Sequence, residues 1–432
     1  MKVARWKVVG LAGALALGYV ASADAAQIKV SDETWANFGL NMKIWYYNKD
    51  KRSNSTTDGG WTRNVFDVGQ TKVYFTGQVT PAFQFYAELD ANGAGATTNM
   101  GEAGINLAFA KEFQVLAGLI RKSFARAQLS SGYAQLTPQD YWLDPQGQLG
   151  AIRRALTPRT DGGLMVHGDL ADGMFRYRVG VYNENRDTGG KFWDGTGWQV
   201  VGQTPGTKAN NLKNFEWNAR IEFTPTMLGF KPESAATITA KIADTYLGSK
   251  DVFTIGLGYH TETHTPKARI GTTDVGDLKR KGWTVDAMFE KKYGNLVPNL
   301  QIGYISLDKT HFYRDFTTGA NKKGDSDIWY VTGQLLFDQA AWLGKPALAF
   351  RYEKITGDGQ WTNGRILKKD LTAETFGLAF NYYIKGQAAR ISLGFDVTKY
   401  DDALAYFLKT PIGGVKREDH ITDWYLYLQS QF

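Results

Sequence analysis

The chain has no cysteine among its 432 residues, which excludes disulfide staples, thiolate zinc sites, iron–sulfur clusters and c-type haem attachment. Proline is sparse at 11, and the five histidines, His167, His260, His264, His311 and His420, give little material for a histidine-rich centre. Beyond residue 25 no apolar run approaches the ~18 residues of a membrane-spanning helix, so a helical membrane protein is excluded. Nor does one sign of charge dominate: 50 Lys and Arg face 43 Asp and Glu, a formal net charge of +7. Spread over segments of mixed sign, that excess lacks the concentrated basic patch of a nucleic-acid binder. Phosphate-cradling glycine loops are missing too, because the glycines stand singly on strands or in turns.

Aromatic side chains are abundant. Thirteen Trp, 22 Tyr and 24 Phe occur in a chain whose mean hydropathy is only −0.35. An apolar fraction of 43% excludes a disordered chain. At the N-terminus, Lys2, Arg5 and Lys7 precede the apolar run Val8 to Ala21 and the small-x-small pattern Ala23-Asp24-Ala25. Residues 1–25 read as a secretory signal peptide, since the run is shorter than the ~20 residues of a membrane anchor. The exported part, residues 26–432, then carries +5 after loss of Lys2, Arg5, Lys7 and Asp24.

Period-two alternation fills the rest. Ala36, Phe38, Leu40, Met42, Ile44 and Tyr46 share one strand face; Asn37, Gly39, Asn41, Lys43 and Trp45 share the other. Phe215, Trp217, Ala219, Ile221 and Phe223 interleave with Glu216, Asn218, Arg220 and Glu222. Similar copies run over Phe83–Leu89, Trp283–Phe289, Phe376–Tyr382, Ala389–Thr398 and Trp424–Phe432. Soluble strands average ~5–6 residues; these are closer to the ~9–11 of tilted strands crossing a bilayer. The connections are lopsided. Val79–Ala82, Ala110–Phe113, Leu170–Gly173 and Ile384–Gln387 are tight turns, whereas Asn48–Asn64, Lys122–Thr160, Glu184–Asn211, Thr261–Arg280 and Asp308–Asp327 are long and polar.

This pattern predicts an all-β fold: an antiparallel transmembrane β-barrel of the bacterial outer membrane, with short periplasmic turns and long extracellular loops. Seventeen candidate strands can be counted, but Ala235–Tyr246 also fits a helical stripe through Ile238, Ile242 and Tyr246. Reading it as a periplasmic helix or irregular turn leaves sixteen strands, an even number as expected of a single-chain barrel. Sixteen strands enclose an aqueous lumen, so function lies in what narrows it. The long connection after the fifth strand is the candidate, folded inward as the third loop. From 121 to 160 it carries Arg121, Lys122, Arg126, Arg153, Arg154 and Arg159 against Asp140 and Asp144, which favours anions if it lines a constriction. The competing reading is that these arginines clamp the loop to wall carboxylates such as Glu88, Asp90, Glu216 and Glu222.

Two chemistries compete with a channel. An outward Ser–His esterase pair finds no nucleophile motif, and His167 fits equally as a lumen residue. His260, Glu262 and His264 would share a strand face and could hold zinc, yet the order is not His-Glu-x-x-His, and a polar strand rim explains them better. No metal, cofactor or catalysis is expected.

Four segments resemble the phosphate-selective porin O and P family: Gly77–Pro81 through Tyr86–Asp90, Gly118–Phe124, Arg159–Gly163 with Gly168, and Asn381–Gly386. The last residues, Asp423–Phe432, end in an aromatic like the signal read by barrel-assembly machinery. The resemblance implies a homotrimeric, sixteen-stranded outer-membrane channel in which the third loop sets the constriction and lumen arginines form a ladder. Arg176, Arg178, Arg220, Arg351 and Arg390 lie on polar strand faces and could form a partial one; Glu216, Glu222 and Glu353 would interrupt it. Lys43, Lys72 and Glu88 complete the expected lumen lining. The expectation is a diffusion channel for small anionic or neutral hydrophilic solutes, embedded in outer-membrane lipid, with anion and at most partial phosphate preference. A non-conducting surface receptor or adhesin barrel is the alternative.

Overall fold

The computed structural model describes residues 26–49, 63–91, 99–137, 160–183, 191–193, 198–200, 214–233, 239–264, 269–270, 273–274, 278–314, 318, 320–362, 367–400 and 420–432. Sixteen strands form the wall: β1 (Trp35–Lys49), β2 (Arg63–Thr80), β3 (Phe83–Ala91), β4 (Asn99–Ala108), β5 (Gln114–Arg121), β6 (Thr160–Leu170), β7 (Phe175–Asn183) and β8 (Phe215–Phe223). They continue as β9 (Val252–His264), β10 (Leu278–Glu290), β11 (Leu296–Arg314), β12 (Asn321–Phe337), β13 (Lys345–Thr362), β14 (Leu367–Lys385), β15 (Ala389–Tyr400) and β16 (His420–Gln431). Each strand pairs antiparallel with the next, and β16 returns to β1 from Asn41↔Gln431 to Lys49↔Asp423, closing the sheet. Phe432 completes the seam by exchanging backbone hydrogen bonds with Leu40, both 3.0 Å. Closure satisfies every strand edge, as a lipid environment demands.

The alternation places apolar side chains outside and charge inside. On β8, Phe215, Trp217 and Ile221 are 61%, 53% and 48% exposed, while Glu216, Asn218, Arg220 and Glu222 are buried. The same inversion appears on β9, where Leu257 is exposed and His260 buried, and on β15, where Leu393 is exposed and Ser392 buried. An exterior of Leu, Ile, Val, Phe and Trp is stable against hydrocarbon, not water. Aromatic clusters mark two levels of this belt. Trp283, Tyr304 and Trp329 form one, with ring centroids 5.1 and 4.5 Å apart; Phe175–Phe223 and Phe253–Phe289, toward the short-turn end, form the other. No helix among the described residues is long and apolar enough to cross a membrane.

The four tight turns fall at strand ends as expected. Two of the five long connections are shorter than the alternation suggested: β9 runs to His264, β10 begins at Leu278, β11 runs to Arg314 and β12 begins at Asn321. The two longest strands, β11 and β14, have 19 residues each. Backbone pairing continues beyond the membrane belt where both faces are polar, as at Lys279-Arg280-Lys281, so the hydropathy pattern fades before the ladder does. The described part of Ala235–Tyr246 is no wall strand, in line with the count of sixteen. That part, 239–246, is irregular rather than helical and belongs to a connection that turns into the barrel.

Candidate functional site: the barrel interior

The interior is crossed by two segments entering from opposite ends. The third loop leaves β5 at Arg121, makes one helical turn over Arg126–Leu129, and is described as far as Thr137. The other segment is part of the 224–251 connection on the short-turn side. They meet mid-lumen in a parallel bridge between Ser130 and Ile242. Ser131 N donates to Ile242 O at 2.8 Å, Ile242 N to Leu129 O at 3.0 Å and Asp244 N to Ala134 O at 3.1 Å. Ser130 Oγ adds a 2.9 Å bond to Asp244. These bonds satisfy backbone groups that have left the wall ladder.

Ion pairs fasten the root of the loop. Arg121 Nε donates to Glu102 at 2.8 Å, and its guanidinium also reaches the carbonyls of Gln128 and Ser130. The Lys122 ammonium donates to Glu216 and lies 3.6 Å from Asp161. Arg126 pairs with Glu233 at 2.6 Å, donates to Gln301 at 3.0 Å, and holds Ala243 O at 3.1 Å. Burial alone would depress this guanidinium, but Glu233, Asp244 and Asp286 together raise its pKa well above the usual value. Between these anchors Phe124 rests on the wall, where a Cβ at Gly258 would lie 2.2 Å from Phe124 O; glycine is what admits the loop backbone there.

The far end of the described part, residues 132–136 and called the tip below, docks differently. Gly132 O accepts from the Lys43 ammonium, Tyr133 O from Gln429 at 3.0 Å, Gln135 O from Arg390 and Leu136 O from Asn381 at 2.7 Å. Leu136 packs with Trp45, Tyr425 and Tyr427 in an apolar cluster on the inner wall. Lys43 lies 4.6 Å from the Tyr133 ring centroid, and the Arg390 guanidinium 5.2 Å from that of Tyr427. Here cations meet carbonyls and aromatic faces.

The second segment is tied to both sides. Lys241 pairs with Glu88 at 2.6 Å and lies 3.4 Å from Glu102. Across the lumen, Asp244 O accepts from Asn299 at 2.8 Å and Gln301 at 2.7 Å, and Glu290 receives Thr245 Oγ1 at 2.7 Å and Gly248 N at 3.0 Å.

The wall positions singled out in the sequence are all buried inside: Lys43, Lys72, Glu88, Arg176, Arg178, Glu216, Arg220, Glu222, Arg351 and Arg390. Most of the arginines engage carboxylates. Arg176 forks onto Asp169 at 2.6 and 3.0 Å; Arg220 forks onto Asp286 at 2.7 and 2.6 Å and also meets Glu222 at 2.8 Å. Arg178 meets Glu222 at 2.9 Å, Arg351 meets Asp396 at 2.9 Å, and Lys72 pairs with Glu88. Arg153, Arg154 and Arg159 lie outside the described residues, as does the 1–25 segment. Sequence reading passed over Glu102, Glu233, Lys241, Asp286, Glu290 and Asn381. Glu102, Asp286, Glu290 and Asn381 sit on polar faces of alternating strands and could have been picked out; Glu233 and Lys241 belong to a connection with no periodicity.

No protein-family model matches the chain. A protein of Aquifex aeolicus, described only as uncharacterised, is 26% identical over 305 residues, covering 68% of this chain; the chain spans 61% of that relative's length. Among solved structures, OprB of Pseudomonas putida at high pH is similar with a TM-score of 0.55 at 12% identity, covering 92% of this chain and 94% of that one. The outer-membrane channel DcaP of Acinetobacter baumannii gives 0.53 at 10%, covering 94% and 99%. OmpF of Salmonella typhi, solved with daunomycin, gives 0.53 at 11%, covering 94% and 100%. At these identities the likeness is one of fold: a closed sixteen-stranded porin barrel. Its apolar belt and closed sheet place the chain in the bacterial outer membrane.

Proposed function

We propose that this barrel is a porin that admits small hydrophilic solutes through an aqueous lumen by diffusion, without catalysis or cofactor. The observation that carries the reading is the inversion itself: a wall charged and polar inside, apolar outside, with a loop tethered across the interior. The three described cations of the loop, Arg121, Lys122 and Arg126, are bound to Glu102, Glu216 and Glu233, so they lend little free charge to a passing ion. A weak anion preference is instead supported by Arg390, which faces the Gln135 carbonyl and the Tyr427 ring, together with Arg153, Arg154 and Arg159 of the same loop. A dedicated phosphate channel fits less well, because Arg176, Arg178, Arg220 and Arg351 are committed to carboxylates. Homotrimeric assembly and recognition of Phe432 by assembly machinery remain part of the proposal through the family resemblance.

The test is the zero-current potential of the refolded protein in a planar bilayer under a KCl gradient, comparing wild type with Arg153→Ala/Arg154→Ala. Chloride preference that falls in the variant and fades in high salt, as the Debye length shrinks from ~10 Å to ~3 Å, is the expected result. Cation preference removes the anion reading. The meeting of two segments mid-lumen favours a second reading, a non-conducting surface receptor, and absence of any conductance selects it.

A further inference from the structure

Where the third loop leaves the wall, metal-ligating side chains from two strands converge. In the β8–β9 register Asn218 faces His260 and Trp217 faces Thr261, which brings Glu216 opposite Glu262. Glu216, His260 and Glu262 are all buried, and one ligand atom of each lies within 4.8 Å of the others. His260 Nδ1 is 3.2 Å from Glu216 Oε1 and 2.8 Å from Asn218 Oδ1. The other Glu216 oxygen receives the Lys122 ammonium. Glu262 Oε1 accepts from Arg280 at 3.0 Å, while Glu262 Oε2 is buried with no hydrogen-bond partner.

We propose that this cluster is a cation site held by Lys122, and that a zinc-class divalent ion competes for it with Glu216, His260 and Glu262 as ligands. Two facing carboxylates in a buried setting require positive charge between them. Lys122 and Arg280 offset Glu216 and Glu262 but leave Glu262 Oε2 without a hydrogen-bond partner; a dication in place of Lys122 gives that oxygen a bond and joins the two carboxylates directly. Imidazole nitrogen with carboxylate oxygen is a donor set that suits zinc, at bond lengths of ~2.0–2.2 Å, with the fourth position left to water. Because Lys122 is the first residue of the third loop, an ion entering here releases one tether of the loop root. The site stands apart from the diffusion reading, since it needs only the folded wall and the loop root.

The experiment titrates ZnCl2 into the refolded full-length barrel by isothermal calorimetry, with heat-modifiable gel migration as the check on folding. Wild type is expected to take up one ion per barrel. His260→Gln and Glu262→Gln each weaken uptake by about tenfold or more, as expected for loss of a ligand. Lys122→Met binds more tightly than wild type, and a Lys122→Met barrel that refolds only with zinc present supports the site equally. If His260→Gln fails to fold, Glu262→Gln carries the same test. Equal stoichiometry and affinity in all variants assigns the heat to scattered carboxylates and overturns the proposal. No uptake by wild type at millimolar zinc, or unchanged affinity in Lys122→Met, also overturns it.

Discussion

The root and the tip of the third loop dock on the same barrel by opposite means. At the root, Arg121, Lys122 and Arg126 are locked to Glu102, Glu216 and Glu233, so each contact depends on a formal charge meeting its complement inside the barrel. At the tip, carbonyls of Gly132, Tyr133, Gln135 and Leu136 accept from Lys43, Gln429, Arg390 and Asn381 over an aromatic floor. Removing the carboxylate partner of a root residue strands a buried charge on the loop, whereas removing a wall donor at the tip strands only a loop carbonyl, a dipole. The root is therefore the fixed end of the loop, and the tip is the end whose contacts can be exchanged at lower cost.

Arg126→Met strikes the root hardest, since it leaves Glu233 without its ion pair. Breaking a buried pair costs about 3–5 kcal/mol, to be read in urea unfolding of the lipid-reconstituted barrel; a loss as small as that of a tip variant erases the distinction between the two ends. The wall that supports the root is tested from its other face by Ile221→Arg. Near mid-membrane a lipid-facing arginine costs about 2–4 kcal/mol, and an innocuous outcome in the same unfolding assay puts Ile221 on the wrong side of the wall.

Asn381→Ala probes the tip by removing the donor to Leu136 O and Gln334. A loss of about 1–3 kcal/mol is expected, with altered single-channel current because the tip is released while the root stays pinned. A loss equal to that of Arg126→Met sinks the ranking. The smallest effect lies outside both ends, at the short-turn rim, where Lys292 and Lys345 both reach Asp338 and hold its carboxyl below the usual 3.8. A depressed carboxyl contributes stability above its ordinary pKa and loses it as pH falls through the lower folded value. Asp338→Asn should therefore flatten the acid limb of the stability profile below about pH 4 and leave neutral-pH conductance unchanged; an unaltered acid limb shows the rim pair to be without weight.

Much of the wall was legible. The faces of Phe215–Phe223 and of Ala389–Thr398 were assigned from alternation alone, because bilayer and lumen are two solvents and each strand must satisfy both. The demotion of Ala235–Tyr246 came from the same logic, since a segment without clean alternation cannot be a wall strand. What it does in the interior was not legible, because Lys241, Ile242 and Asp244 take their meaning from Glu88, Ser130 and Asn299, residues far away in the chain. The strand extensions at Lys279–Lys281 were missed for a related reason: where both faces are polar, pairing continues without a hydropathy signature. Glu216, His260 and Glu262 show the limit most clearly. The sequence grouped His260 and Glu262 by spacing along one strand, but Glu216 joins them only through the β8–β9 register.

By itself, then, the sequence determined a cysteine-free, all-β chain with sixteen two-faced strands, because local alternation encodes which solvent each side chain meets. Only the tertiary structure decided which charges neutralise one another, where the third loop crosses, and that a second segment meets it from the opposite end. Those outcomes depend on register and closure. They bring together residues separated by a hundred positions or more, such as Arg126 and Glu233, and no local pattern records such a meeting.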